Sequence, residues 1–453
     1  MKQLPQNFVK RMRLLLADEY ELYEKAINEP PVKAFRVNTD KISLSDFKKI
    51  NPFGERKIPY VENGYYLDCE KVGNHPFHHA GLIYVQEPAA MAPAECIDFA
   101  PDSFVLDMCA APGGKSTQLK SKLGADGLLV SNEIIPSRCK ILTGNIERLG
   151  LKNCVTTCMD TRRLSKIFPR TFDVIMADVP CSGEGMFRKE QAAIDEWSEE
   201  NVKKCAARGQ DILENAVKCL KDGGYIIFAT CTFSLEENEM TVDNFLRLHP
   251  DFEIVPVTER VQKATVGGIS FDGCQSNNLS FARRFYPHKN LGEGQFMAVL
   301  HHKAENTASN PKAKNQSANL SDTLIRFLDD TLNCYNASDI TLYGDTPVFY
   351  SGSINIKEGD AFMCGVTIGE IKKNYVLPHH QFFMTMGRDF KRKIDLAPDC
   401  EDIIKYLHGE EIKTDCPDGW AVVTVCGATL GGVKVSKGVA KNHYPKGLRM
   451  YNR

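Results

Sequence analysis

Short apolar runs alternate with amphipathic stretches between residues 103 and 302. Five of the runs are rich in β-branched or aromatic residues and are typical of strands: SFVLDM, LLVSNE, CVTTCM, FDVIMADV and GYIIFATC. In residues 202–220 the apolar positions recur at helical spacing. This alternation predicts an α/β fold with an open, mostly parallel sheet and helices on both of its faces. Ligands of such sheets bind beyond the carboxyl ends of the strands, so the residues that follow the strands are the functional candidates.

A change of pattern after this region marks a boundary. Residues 304–322, AENTASNPKAKNQSANLSD, contain no aromatic residue and no apolar periodicity. Such a segment cannot bury enough apolar surface to offset the entropy of ordering, which predicts a flexible linker with few contacts across it. The linker separates a large first part from a C-terminal part of about 130 residues.

The composition is that of a globular protein. Hydrophobic residues make up 43% and charged residues 25%, and no apolar run is long enough to span a bilayer. The first residues lack the apolar core and cleavage site of a signal peptide, so we expect a cytoplasmic protein without membrane association. The 16 cysteines include no CxxC pair and no Cys/His cluster at zinc spacing. We therefore expect reduced thiols and no metal site.

Charge is distributed unevenly, although the net charge is only −2. Residues 421–453 contain no Asp or Glu but six cations: Lys434, Lys437, Lys441, Lys446, Arg449 and Arg453. This local excess suits a phosphate backbone. An ordinary solvated face is the alternative interpretation.

The first predicted strand is followed by a turn with two glycines, CAAPGGKS, which begins at Cys109. Gly113 and Gly114 would let the backbone approach a ligand closely. The letters GKS also end a nucleotide-binding P-loop, but that motif needs a glycine five positions before its second glycine, and Cys109 stands there. A plain tight turn is the alternative.

Acidic residues follow the second and third predicted strands. Glu133 is suited to the two hydroxyls of a ribose, as in other nucleoside-binding sheets. Asp160 could accept a hydrogen bond from an adenine amino group, although a single acid after a strand is usually a helix cap. The two acids and the glycine turn together favour an adenosyl ligand that carries no phosphate.

Two cysteines follow the fourth and fifth predicted strands. The fourth strand ends near Asp178 and leads into Cys181, and the fifth ends at Cys231. Because such strands are commonly neighbours, the two thiols could face one pocket. The letters S-L-E-E from Ser234 to Glu237 match a capping box, which predicts a helix beginning just past Cys231. The positive end of that helix would favour a thiolate. Two neutral buried thiols are the alternative.

These groups suit methyl transfer to C5 of cytosine. C5 is a poor nucleophile until a thiolate adds at C6, and an acid near N3 stabilises the charge that then develops on the ring. A base must afterwards remove the C5 proton so that the thiolate leaves. A thiol, an acid, a second thiol and an adenosyl site all follow strands here.

The motifs together resemble the Nol/Nop/Sun family of RNA cytosine-C5 methyltransferases. The resemblance is carried by LDMCAAPGGKS, DVPCSGEG, TCTFS, FRVN, QEPAAM and ARRFYPHKNLGEGQFMAVL, and it extends to about residue 302. It implies a Rossmann-like domain that uses S-adenosylmethionine, with Cys231 as the nucleophile, Asp178 assisting at the base and Cys181 helping to release the product. It also implies a set of cofactor-binding residues: Cys109, Ala110, Ala111, Pro112, Gly113, Gly114, Lys115, Glu133, Asp160 and Asp178.

The C-terminal segment GWAVVTVCGATLGGVKVSKGVAKNHYPKGLRMY is similar to the RNA-binding module of bacterial RsmF-type ribosomal RNA methyltransferases, a small PUA-like β-barrel. This implies small-subunit (16S) ribosomal RNA, or the 30S subunit, as the substrate. We predict five units: an N-terminal α+β RNA-binding extension (1–97), the methyltransferase domain (98–303), the linker (304–322), a middle C-terminal domain (323–392) and the PUA-like domain (393–453).

Other functions are open at this stage. The substrate could be transfer RNA or another RNA. A DNA cytosine methyltransferase is a rival, but in that class the Pro-Cys loop supplies the nucleophile and no cysteine is expected in TCTFS. A non-catalytic RNA-binding assembly factor would be expected to have lost Cys231, Asp178 or the glycine turn, and all three are intact.

Overall fold

The computed structural model describes residues 3–69, 72–305, 310, 320–352, 354 and 356–450. Most of the predicted linker, residues 306–309 and 311–319, lies outside these residues, so its flexibility stays a prediction. The C-terminal cation Arg453 also lies outside them. Of the helices in the described ranges, none is both long and apolar enough to cross a membrane.

The N-terminal part is a small α+β unit with a three-stranded antiparallel sheet in the order β2-β1-β3. Its elements are α1 (Gln6–Leu16), α2 (Tyr20–Ile27), β1 (Ala34–Val37), α3 (Leu44–Ile50), β2 (Gly64–Tyr66), α4 (Pro76–His79) and β3 (Ile83–Val85). Helix α1 buries Phe8, Met12 and Leu16, whose spacing of four places them on one face. They share a core cluster with Trp197, so α1 packs against the next part of the chain.

The next part is built on a large sheet. Its strands are β4 (Phe104–Asp107), β5 (Leu128–Asn132), β6 (Cys154–Thr157), β7 (Phe172–Asp178), β8 (Leu220–Thr230), β9 (Phe252–Val255), β10 (Val266–Gly267), β11 (Arg283–Phe285) and β12 (Gln295–His302). Its helices are α5 (Gly114–Lys120), α6 (Pro136–Leu149), α7 (Thr161–Ile167), α8 (Gln191–Asp195), α9 (Glu199–Cys219), α10 (Glu239–Leu248) and α11 (Glu259–Lys263). Each of the five predicted strands corresponds to one of β4 to β8.

The sheet has Rossmann-like topology, which confirms the predicted fold class. Strands β4 to β8 are parallel in the order β6-β5-β4-β7-β8, and β12 lies antiparallel beside β8. Apolar clusters cover both faces of the sheet. The chain leaves β4 toward β5 on one side and reaches β7 on the other. Such a reversal of strand order opens a crevice at the carboxyl ends, where ligands of this fold bind.

The C-terminal part ends in a five-stranded, partly open barrel with the order β19-β21-β22-β23-β20, as expected for a PUA-like module. The elements of this part are α12 (Asp322–Thr331), β13 (Ile340–Tyr343), β14 (Thr346–Phe349), β15 (Met363–Cys364), β16 (Val366–Thr367), β17 (Gly369–Ile371), β18 (Val376–Pro378), α13 (His380–Met386), β19 (Lys393–Leu396), α14 (Glu401–His408), β20 (Ile412–Lys413), β21 (Gly419–Val425), β22 (Ala428–Ser436) and β23 (Val439–Asn442).

Many contacts join the C-terminal part to the rest of the protein, so the expectation of few contacts across the linker is wrong. Strand β15 pairs antiparallel with β6 and adds a strand to the edge of the large sheet. The hydroxyl of Tyr444 lies 2.9 Å from Nδ1 of His79. Phe77 and Tyr406 belong to one apolar cluster that joins the N-terminal unit to the barrel. The composition of a linker limits its own structure but carries no information on how the next domain packs.

Candidate active site

The glycine turn connects β4 to α5 and is joined to the end of β7. Gly113 has a φ of 110°, in the left-handed region that favours glycine. Lys115, in the first turn of α5, places its Nζ 2.7 Å from Oδ2 of Asp178. Burial lowers the pKa of Lys115, but the Asp178 carboxylate outweighs this effect and raises the pKa above its ordinary value. The lysine is thus paired as an ammonium with the acid that ends β7.

A cleft with a volume of about 1110 Å³ lies at the carboxyl ends of the parallel strands. Nine residues predicted from the sequence line it: Cys109, Ala111, Pro112, Lys115, Glu133, Asp160, Asp178, Cys181 and Cys231. The other three, Ala110, Gly113 and Gly114, belong to the same turn without lining the cleft. The structure therefore brings the groups that follow five different strands to one place.

One side of the cleft carries Glu133 directly after β5. Its side chain is 4% exposed; Oε1 accepts a hydrogen bond from the backbone N–H of Ile135 at 3.0 Å, and Oε2 lies 3.4 Å from Nη1 of Arg138. The side chains of Ile134 and Ile135 are exposed beside it and present an apolar surface. Asp160 caps α7, because its Oδ1 accepts the N–H of Arg163 at 2.9 Å, and it also lines the cleft. The wall thus combines a fixed carboxylate with an apolar surface.

The two thiols meet in the cleft. The Sγ atoms of Cys181 and Cys231 are 3.2 Å apart, and the backbone N–H of Cys231 donates to the sulfur of Cys181 at 3.3 Å. This geometry follows from the pairing of β7 with β8, because each cysteine lies just beyond the end of its strand. The pKa of Cys181 is raised well above its ordinary value, mainly by the contact with Cys231 and to a smaller extent by burial. Cys181 is therefore held as a thiol that can donate to Cys231.

The predicted helix just past Cys231 is absent, and this part of the sequence interpretation is wrong. The helix that follows, α10, begins at Glu239, with Asn238 at its N-cap position. Ser234 Oγ accepts the N–H of Glu237 at 3.4 Å, but the Glu237 carboxylate turns to Ser182 instead of completing a capping box. The environment of Cys231 is thus set by the second thiol and not by a helix terminus.

Two polar side chains near the cleft were not predicted. Asp107, the last residue of β4, accepts from Ser116 Oγ at 2.6 Å, and burial raises its pKa to about 7. Its Oδ1 and the amide nitrogen of Gln295 are buried without a hydrogen-bond partner among the described residues. Gln295 lines the cleft at the start of β12. An acid at the end of the first strand was a usable signal for Asp107, whereas the burial of Gln295 depends on tertiary packing.

Three family models match successive parts of the chain. The model for the N-terminal domain of 16S rRNA methyltransferase RsmF matches residues 4–88, the model for 16S rRNA methyltransferase RsmB/F matches residues 94–301, and the model for the methyltransferase RsmF PUA domain matches residues 393–450.

Relatives and a solved structure agree with these matches. Ribosomal RNA small subunit methyltransferase F of Vibrio vulnificus is 28% identical over 98% of this chain and 97% of its own length. The protein of the same name from Psychromonas ingrahamii is 37% identical over 52% of each chain. The crystal structure of a methyltransferase homologue from Pyrococcus horikoshii is 27% identical, with a TM-score of 0.57 over 66% of this chain and 95% of that one. The protein belongs to the RsmB/F family of 16S rRNA methyltransferases.

Proposed function

We propose that the protein transfers a methyl group from S-adenosylmethionine to C5 of cytosine in small-subunit ribosomal RNA. The observation that carries this proposal is the contact of two thiols beside Asp178 in the cleft. One thiol suffices for a covalent attack, whereas a second thiol in contact with it suits the later release of the base. Family membership supports RNA as the substrate class, and cytosine is inferred from the chemistry of the thiol pair.

The cleft fits an adenosyl group. The buried Glu133 carboxylate is suited to ribose hydroxyls, and the apolar surface of Ile134 and Ile135 is suited to the face of an adenine ring. The charge of Lys115 is already balanced by Asp178, so this lysine is not a free cation for a phosphate group. When bound, S-adenosylmethionine supplies an electrophilic methyl group on its sulfonium sulfur. We propose that the cofactor-binding residues predicted from the sequence hold S-adenosylmethionine.

Cys231 begins the reaction by adding to the base. Its thiolate forms a bond from Sγ to C6, and the electron pair of the C5–C6 double bond moves to C5 and through C4 toward N3. Asp178 lies three residues before Cys181 and lines the same cleft, where its carboxylate can accept a hydrogen bond from N3 once the ring has taken up a proton there.

Cys181 assists the release of the methylated base. The proton on C5 passes to Cys181 while the proton of Cys181 passes to the departing sulfur of Cys231 over the 3.2 Å contact. The electron pair of the C5–H bond restores the C5–C6 double bond, and the Sγ–C6 bond breaks. Both cysteines end as thiols, and Cys231 then gives its proton to solvent before the next turnover.

The barrel supplies a surface for the RNA backbone. Lys434 on β22 lies directly opposite Lys441 on β23, and both side chains are exposed. Like charges at opposed positions destabilise a sheet unless a counter-charge is present. The ammonium of Lys434 also lies 5.5 Å from the ring centre of Trp420. Two exposed lysines side by side on the barrel favour a nucleic acid as the partner.

We also propose the five predicted units, with one change. Strand β15 lies in the predicted middle C-terminal domain (323–392), but it pairs with β6 and so forms part of the large sheet. Cytoplasmic localisation and the 30S subunit as the assembled substrate stay predictions.

Bisulfite sequencing tests the proposed function. Ribosomal RNA from cells with and without the gene is treated with bisulfite, which converts cytosine but spares 5-methylcytosine. We expect at least one cytosine of 16S RNA to be protected only when the gene is present. Unchanged 16S RNA, or a protected site in transfer RNA instead, would contradict the proposed substrate.

A further inference from the structure

Two buried carboxylates join the segments that carry the cysteines. We call residues 179–187 the Cys181 loop and residues 231–238 the Cys231 loop. Glu184 of the first loop accepts the backbone N–H of Phe233 in the second, at 3.0 Å. Glu237 of the second loop accepts the backbone N–H of Ser182 in the first, at 2.8 Å. Each loop thus supplies an acceptor for a backbone donor of the other.

Further bonds reinforce this reciprocal arrangement next to the sulfur atoms. Ser182 Oγ donates to Oε1 of Glu237 at 2.5 Å and lies 2.9 Å from Oγ1 of Thr232. The N–H of Gly185 donates to the carbonyl oxygen of Cys231 at 2.8 Å. Because Ser182 follows Cys181 and Thr232 follows Cys231 in the sequence, these bonds fix the backbone directly beside both thiols.

Both carboxylates are buried and therefore depend on these hydrogen bonds. Glu184 and Glu237 are each 2% exposed, and a carboxyl group at that depth is costly unless hydrogen bonds satisfy its oxygens. Glu184 meets this requirement with two fixed donors, Nε1 of Trp197 and the N–H of Phe233. Glu237 uses one backbone donor and the hydroxyls of Ser182 and Thr232. The two loops cannot move apart without leaving buried polar atoms unpaired.

We propose that Glu184 and Glu237 are positioning residues that hold the thiols of Cys181 and Cys231 in contact, so that the adduct formed by Cys231 can be released. The inference rests on the proposed function, which assigns the attack to Cys231 and the release to Cys181. Addition needs one thiol, whereas release needs the proton to pass between two. Loss of the bracing bonds therefore impairs release more than addition.

Three variants separate this role from a general effect on folding. Glu237→Ala removes the acceptor for both Ser182 groups. Glu237→Gln keeps an amide oxygen for the N–H of Ser182 and an amide N–H for the hydroxyls, and it serves as the conservative rescue. Glu236→Ala is the matched control, since this neighbouring carboxylate bonds to Arg11 of α1 and not to the Cys181 loop.

The full-length variants are incubated with S-adenosylmethionine and 16S RNA. Turnover, the fraction of protein in a covalent RNA adduct on denaturing gels, thermal unfolding and the affinity for S-adenosylhomocysteine are measured. A displacement of about 1 Å can reduce a rate about 100-fold. We expect Glu237→Ala to lose turnover on this scale, to accumulate adduct several-fold above the wild type and to keep its affinity for S-adenosylhomocysteine. Glu237→Gln and Glu236→Ala should release product like the wild type.

The contrary result is a parallel fall of turnover and adduct in Glu237→Ala, in proportion to the loss of folded protein. Unchanged turnover and adduct would overturn the inference equally. If Glu237→Ala does not fold, Glu184→Gln gives the same test, because one amide oxygen cannot serve both of the N–H donors of Glu184. These results leave the proposed function standing, whereas a wild-type enzyme that forms no 5-methylcytosine would overturn both.

Discussion

The Nζ atom of Lys115 lies 2.7 Å from Oδ2 of Asp178, and this ion pair ties the glycine turn after β4 to the end of β7. The lysine is 12% exposed and the aspartate 28%, so the pair lies at the wall of the cleft and not in open solvent. In a P-loop the corresponding lysine reaches toward phosphates. Here its charge is already balanced by a carboxylate.

We expect the protein to bind S-adenosylhomocysteine and not ATP with magnesium. The phosphates of ATP would bring negative charge next to Asp178. Lys115, the cation that could neutralise them, is already paired with that carboxylate. Isothermal titration calorimetry with both ligands measures this directly. Heat from ATP and magnesium, with none from S-adenosylhomocysteine, would overturn the assignment of the cleft.

Glu133→Ala should weaken the binding of S-adenosylhomocysteine by about 10- to 100-fold, the equivalent of about 1.5–3 kcal/mol for hydrogen bonds to a charged group. Glu133 directly follows β5 and accepts a hydrogen bond from the nearby backbone N–H of Ile135, so the melting temperature should change little. Calorimetry and thermal unfolding give the two values. Glu190→Ala is the control, because Glu190 is an exposed carboxylate that lines the same cleft. Equal affinities of the two variants would exclude Glu133 from the cofactor site.

The pattern of the sequence predicted the sheet and the placement of most cleft residues, because strand ends and glycine turns are local signals. It did not predict the true partners of Glu237. The letters around Ser234 satisfy a capping box, yet the carboxylate bonds to Ser182, 55 residues away. The pairing of β15 with β6 is missed for the same reason, since a two-residue strand has almost no local signature. Partners that are distant along the chain compete with local ones, and tertiary packing decides between them.

The stability of the protein should depend on pH through Glu237. Burial raises the pKa of this carboxyl group from 4.5 to about 7, and the nearby Glu184 carboxyl also raises it. The folded state thus holds the proton more tightly than the unfolded chain. The stability that the folded state gains by holding this proton is present in full below pH 4.5 and is lost as the pH rises through 7.

Relative to Glu237→Gln, the free energy of unfolding of the wild type should therefore fall by about 3 kcal/mol between pH 4 and pH 8. Urea unfolding of both proteins across this range measures the difference. Two curves that stay parallel would show that Glu237 titrates near its ordinary value.

The double substitution Lys434→Gln and Lys441→Gln should weaken RNA binding without affecting the fold, because both side chains are exposed on the barrel. Each lost phosphate contact reduces the slope of log affinity against log salt by about 0.7–0.9, so we expect a total change of about 1.4–1.8. Filter binding at several salt concentrations gives the slope.

Removal of residues 304–453 is a poorer test of the same surface, because it also exposes Phe77 and breaks the contact of His79 with Tyr444. We expect the truncated protein to be less stable as well as weaker in binding. An unchanged affinity and slope in the lysine variant would show that this face of the barrel does not contact RNA.

The most direct test of the account compares the two cysteines in one denaturing gel. Wild type, Cys231→Ala, Cys181→Ala and the double variant are incubated with S-adenosylmethionine and 16S RNA, and protein–RNA adducts that survive denaturation are counted. If Cys231 attacks and Cys181 assists release, Cys181→Ala accumulates a methylated adduct, while Cys231→Ala and the double variant form neither adduct nor 5-methylcytosine. An adduct with Cys231→Ala and none with Cys181→Ala would exchange the roles of the two thiols and contradict the account.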